Sequence, residues 1–124
     1  MNTILIVDDE EDVIEIIRTR LAKEPGFRIL EATNGADALE LAKQERPDLI
    51  ILDWLMPGLS GLEVMQTLRA SPELTAIPVI MMTVKSEQSA QEEGHAMGVF
   101  AYMIKPFESD TLMGNVQRAL KKKR

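Results

Sequence analysis

The sequence predicts a doubly wound α/β domain built on five parallel strands, and three observations carry that prediction. Short apolar runs alternate with stretches of helical periodicity along the 124 residues, as repeated strand–helix units require. The runs ILIV, LIIL and VIMM have no polar alternation, which fits strands covered on both faces. Breaks rich in Pro and Gly separate the segments.

The elements follow in order. Thr3–Val7 is the first strand. Val13, Ile14, Ile16, Ile17 and Leu21 mark the broad apolar face of the first helix, which Pro25-Gly26 ends. Phe27–Ala32 is the second strand. Asn34 is placed to cap a helix with Ala38, Leu39 and Ala42 inward, closed by Pro47. Leu49–Leu52 is the third strand. Beyond the turn Met56-Pro57-Gly58, Ser60 caps a helix with Leu62, Met65 and Leu68 facing in. Pro72 and Pro78 bracket a loop before the fourth strand, Val79–Met82. Residues Ser86–Met97 form a weak fourth helix, with Gly94 inside it and a thin apolar face. Val99–Ile104 is the fifth strand, and Glu108–Lys121 the last helix, with Leu112, Val116 and Leu120 at helical spacing. Strands two and five (FRILEA, VFAYMI) are mixed in polarity, as edge strands are. Right-handed crossovers with strands one, three and four in the centre lead to the order 2-1-3-4-5, a flavodoxin-like (βα)₅ sheet.

Composition narrows the function. The length fits one domain over residues 1–124, with Lys121–Arg124 either a solvated helix end or the start of a linker. The absence of Cys excludes disulfides and zinc–thiolate sites. A net charge of −6 and 4% aromatic residues argue against nucleic-acid binding by this segment. No apolar run is long enough to span a bilayer, and the start MNTILIVDDEE lacks a basic leader region. The chain is expected to be soluble, unexported, cytoplasmic and free of membrane contacts.

The chemistry lies where the strands end. Strand one ends in Asp8-Asp9, strand three in Asp53, strand four in Thr83 and strand five in Lys105. A parallel sheet brings all these ends to one edge, where open α/β folds bind their ligands. Three carboxylates in one cleft repel one another, and a hard divalent cation relieves that conflict. With oxygen donors alone, Mg²⁺ is the best candidate, with Mn²⁺ as the alternative. Lys105 adds a positive charge and Thr83 a hydroxyl, a set suited to a phosphoryl group. A carboxylate is itself a competent nucleophile toward phosphorus.

The segments ILIVDDE, LDWLMPGLSGLE and YMIKPF, with these strand-end residues in order, resemble the CheY-like receiver domain of bacterial response regulators in two-component systems. The resemblance covers essentially the whole chain. It implies that Asp53 is the phosphoacceptor, fed by a histidine kinase or a histidine phosphotransfer protein. It makes Asp9 a direct metal ligand, Asp8 one acting mainly through water, and the Leu55 backbone carbonyl the third protein ligand. Thr83 and Lys105 are to bind phosphoryl oxygens. The Lys105–Pro106 bond is expected to be cis. Tyr102 matches an aromatic that swings inward when Thr83 is drawn to the phosphoryl group, coupling the site to the face of the fourth helix, fifth strand and fifth helix. The weak fourth helix is the expected mobile element. Such a chain catalyses its own phosphorylation and dephosphorylation, and is not an enzyme acting on an external substrate. The output, an effector domain or a target protein, is not specified by these residues.

Three positions depart from the family pattern. Val84 stands where a small residue is usual and narrows access to Asp53. Lys85 adds a positive charge beside the cleft. Leu55 offers no polar side chain to orient a hydrolytic water. Together they lead to the expectation of a long-lived aspartyl phosphate. Simpler readings compete elsewhere. His95 is a lone histidine in a polar helix, the eight methionines are core filler, and Tyr102 alone is an ordinary edge-strand residue. A phosphatase of the haloacid dehalogenase type needs a second Asp at the position of Leu55. A dinucleotide site needs G-x-G-x-x-G after the first strand. A phosphate-independent interaction module on the same fold is the remaining alternative.

Overall fold

The computed structural model describes residues 1–84 and 96–122. β1 (Asn2–Val7), β2 (Phe27–Ala32), β3 (Leu49–Asp53), β4 (Val79–Val84) and β5 (Ala101–Lys105) form one sheet in the order β2-β1-β3-β4-β5. All neighbouring pairs are parallel, so this is the doubly wound, flavodoxin-like arrangement. The helices are α1 (Glu11–Leu21), α2 (Gly35–Glu45), α3 (Gly61–Ala70) and a C-terminal helix, Ser109–Lys122. No helix among the described residues is long and apolar enough to cross a membrane. The predicted fourth helix, Lys85 and His95 lie outside the described residues, apart from the end of that helix.

Successive strand residues point to opposite faces, and the core divides accordingly. Leu5, Val7, Ile50, Leu52, Val79 and Met81 pack under α2 and α3. Ile4, Ile6, Leu49, Ile51, Ile80 and Met82 pack under α1 and the C-terminal helix. β3 is buried along its whole length, as the centre of a sheet covered on both sides should be.

The caps follow local chemistry. Asn34 accepts the Asp37 N–H at the start of α2. Ser60 and Glu63 form a reciprocal capping box at the start of α3. α2 ends with Arg46 in the left-handed region, just ahead of Pro47, because the residue before proline avoids the right-handed helical conformation.

Three expectations need correction. Ile16 is not part of the inward face of α1; it is 62% exposed. At 100° per residue it lies well round the helix from Ile14, and Ile14, Ile17 and Leu21 carry the burial. In α3 the buried stripe is Gly61, Val64, Met65 and Leu68, which leaves Leu62 half-buried at its margin. β5 starts at Ala101 rather than Val99, because the chain is still turning at Gly98 and first meets β4 through the Phe100 N–H on the Val79 carbonyl.

Candidate functional site

The carboxyl ends of β1, β3, β4 and β5 converge at one edge. Asp8 extends β1, its N–H donating to the Ala32 carbonyl at 3.1 Å. Its side chain is fully buried, and both carboxylate oxygens are engaged. One accepts the Glu10 N–H at 2.9 Å and the other accepts Lys105 Nζ at 2.8 Å. Asp53 is 5% exposed, and Lys105 Nζ lies 3.2 Å from its Oδ1. Asp9 is exposed, yet Asp8, Asp9 and Asp53 each present a carboxylate oxygen within 4.8 Å of the others.

The backbone after Asp53 is held by two close contacts. The Trp54 N–H donates to the Met82 carbonyl at 2.9 Å, and the Gly61 N–H to the Trp54 carbonyl at 2.8 Å. A Cβ at Gly61 would lie 2.7 Å from Trp54 Cα and 2.9 Å from the Asp53 carbonyl oxygen. Only glycine lets α3 begin this near the end of β3.

The charges are frustrated. Burial raises the Asp53 carboxyl from 3.8 to about 7, with Asp8 and then Asp9 pushing the same way while Lys105 pulls it down. Burial lowers the Lys105 ammonium, but its bond to Asp8 and the charges of Asp53 and Asp8 outweigh burial and leave it raised. Thr83 is buried beside this cluster on β4, one residue beyond Met82, the ladder partner of Asp53. Its hydroxyl is a buried polar atom without a hydrogen-bond partner among the described residues.

The structure thus brings together Asp8, Asp9, Asp53 and Lys105, with Thr83 on the adjoining strand. Glu10 adds to the set that the sequence pattern picks out: its carboxylate is 3.7 Å from Lys105 Nζ, and the third acid of the run Asp8-Asp9-Glu10 was its signal. Leu55 is 53% exposed in the loop beyond β3, and Val84 is 39% exposed. Val84 shares a groove with Glu10, Val13, Ile16, Pro106 and Phe107. The Lys105–Pro106 bond is cis. Tyr102 is half-buried against the α2/α3 side of the core, and burial raises its phenol.

The family model for the response regulator receiver domain matches residues 4–117. The chain belongs to the response regulator receiver family. It is 37% identical to the protein PilH of Pseudomonas aeruginosa over 97% of this chain and 98% of that protein. It is 41% identical to the phosphate regulon transcriptional regulatory protein PhoB of Rhizobium meliloti, over 96% of this chain but only 52% of PhoB. The chain therefore spans about half the length of PhoB and nearly all of PilH. Among solved structures, the chemotaxis response regulator CheY4 of Vibrio cholerae superimposes with a TM-score of 0.88 at 31% identity, covering 97% of this chain and 99% of that one. Receiver domains serve phosphorelay signalling in two-component systems, and they generally bind Mg²⁺ at an acidic pocket. The donor set of this receiver domain fits such an ion: three clustered carboxylates, hard oxygen donors alone, and one carboxyl that burial makes hard to ionise without a further cation.

Proposed function

We propose that this receiver domain accepts a phosphoryl group on Asp53, in a Mg²⁺-dependent, self-catalysed reaction, from a phosphohistidine of a histidine kinase or histidine phosphotransfer protein in the cytoplasm. The observation that carries this reading is the Lys105 ammonium bridging the buried carboxylates of Asp8 and Asp53 at 2.8 and 3.2 Å. Asp8, Asp9 and Asp53, with the Leu55 carbonyl, would hold Mg²⁺, which supplies neutralising charge for the carboxylate and the phosphoryl oxygens.

An Asp53 carboxylate oxygen attacks phosphorus as the phosphorus–nitrogen bond of the donor breaks, and the electron pair leaves with the imidazole, which takes a proton from solvent. Lys105 shifts its Asp53 contact to a phosphoryl oxygen and keeps Asp8 as its anchor. Thr83, whose hydroxyl lacks a partner among the described residues, donates to a second phosphoryl oxygen. The modification adds about −1.5 to −2 of charge. Drawing Thr83 toward it changes the room available to Tyr102 on β5, which biases the surface of β5, the C-terminal helix and the fourth helix expected from the sequence. Leu55 offers no polar side chain to steer water and the bulk of Val84 narrows access to Asp53, so the aspartyl phosphate is expected to be long-lived.

Intact-mass measurement after incubation with Mg²⁺ and acetyl phosphate tests the reading. Gain of one phosphoryl group that requires both Mg²⁺ and Asp53 is the expected result. No gain in the folded protein would favour the phosphate-independent interaction module. Loss of the group within seconds at neutral pH would refute the long lifetime.

A further inference from the structure

We infer that Arg69, at the far end of the sheet from the acidic cluster, is a positioning residue for the site. It sits in the last turn of α3, half-buried, and its guanidinium is spent on backbone. Nε donates to the Met97 carbonyl at 3.0 Å, and Nη2 to the Gly98 carbonyl at 3.2 Å. Nη1 donates to the carbonyls of Thr75 at 2.8 Å and Ile77 at 3.3 Å. Four of the five N–H groups of an arginine are therefore committed. No carboxylate forms an ion pair with Arg69 among the described residues, and burial lowers its pKa. A charge kept in that environment, with no counterion among the described residues, serves the carbonyls it ties.

Those carbonyls belong to two segments distant in sequence. Thr75 and Ile77 lead into β4, and Met97 and Gly98 lead into β5. Gly98 has φ +80, and Arg69 Nε is the nearest atom to where its Cβ would stand, so the turn closes directly over the guanidinium. One side chain thus fixes the entries of two neighbouring strands. The exits of these strands carry the Thr83–Ile104 and Val84–Lys105 pairs, which hold both donors proposed for the phosphoryl group. Of the three carboxylates, Asp8 and Asp9 follow β1, which does not touch β4 or β5 in the sheet, and Asp53 ends β3 with Met82 of β4 as its ladder partner. A shift of β4 and β5 should therefore disturb phosphoryl capture, which uses Thr83 and Lys105, more than metal binding. The functional half of this inference rests on the phosphoryl-transfer reading; the positional half does not.

The test compares wild type with Arg69→Ala and Arg69→Lys. Three quantities are measured on the folded proteins: Mg²⁺ affinity by calorimetry, the rate of phosphoryl gain from acetyl phosphate at saturating Mg²⁺, and amide hydrogen exchange. In Arg69→Ala we expect Mg²⁺ affinity within about twofold of wild type and a phosphorylation rate lower by about tenfold, the scale of small misplacements at a reacting centre. Exchange should be faster at Phe100 and along β5, with β1 unchanged. Arg69→Lys, which keeps the charge but not the fork, should fall between the two and stands in if the alanine variant does not fold. A rate within twofold of wild type overturns the inference, as does an equal loss in Mg²⁺ affinity. If wild type gains no phosphoryl group, the reading of Asp53 fails, and unaltered β5 exchange in the variants would still overturn the clamp by itself.

Discussion

Replacing Asp53 with Asn should stabilise the metal-free protein, and by an amount that depends on pH. Asp53 is 5% exposed and shares its cleft with the buried Asp8, so its ionised form is penalised in the native state. The carboxyl is raised from 3.8 to about 7, which corresponds to roughly 4 kcal/mol at 1.36 kcal/mol per pH unit. The native value exceeds the unfolded one, so the native state holds the proton more tightly. The stability this contributes is complete below pH 3.8 and is lost as pH rises through about 7. Asparagine keeps the shape and removes the charge. The variant should match wild type near pH 4 and exceed it above pH 8 by about 2 to 4 kcal/mol, the lower figure allowing for relaxation of the cleft. Urea unfolding in a chelator, at several pH values, reads the difference directly. Mg²⁺ should narrow it, because binding to the native state stabilises wild type by about 2.7 kcal/mol at a hundredfold excess over Kd and the variant has lost a ligand. A variant no more stable than wild type at pH 8 without metal, or a gain that does not shrink with acid, would refute the account of a frustrated cleft.

Other substitutions probe separate parts of the site. Gly61→Ala forces a Cβ to 2.7 Å from Trp54 Cα and should cost about 2 kcal/mol in urea unfolding; it should also slow phosphorylation by moving the backbone beside Asp53. Val84→Ala should speed phosphoryl gain from acetyl phosphate, measured by intact mass, because it removes bulk at the mouth of the cleft. Asp9→Asn should weaken Mg²⁺ binding by about tenfold or more, read from the fluorescence of Trp54, while leaving metal-free stability near wild type because Asp9 is exposed.

The legible parts of this fold are those that one-dimensional chemistry determines. Buried parallel strands must be apolar throughout, so ILIV, LIIL and VIMM identify the sheet centre without ambiguity. Asn34 and Ser60 cap helices through atoms a few residues away. The site was legible for a related reason: parallel topology sends every strand exit to one edge, so Asp8, Asp53, Thr83 and Lys105 meet as soon as the strands are recognised. What was misread depends on the third dimension. Ile16 is as apolar as Ile17, and only its angle round α1 leaves it in solvent. Glu10 looks like a solvated helix start until Lys105 arrives from the opposite end of the chain. Arg69 looks like a helix-terminal charge, since nothing in its own segment names the carbonyls it reaches.

The same contrast explains why this cleft suits a switch. A site built only for stability would pair each buried group in its ground state. Here Lys105 is shared between two carboxylates, Asp53 is hard to ionise, and the Thr83 hydroxyl is buried without a partner among the described residues. Each is a local cost in the unmodified protein. A phosphoryl group on Asp53, with its metal ion, would relieve all three together: it gives Lys105 and Thr83 oxygens to bind and gives the carboxylates a cation. The relief at Lys105 and Thr83 would come through residues on β4 and β5, whereas the cation would act on the carboxylates at the ends of β1 and β3. It follows that the response should emerge on the β4–β5 side of the molecule, where Tyr102 lies and where Arg69 holds the strand entries.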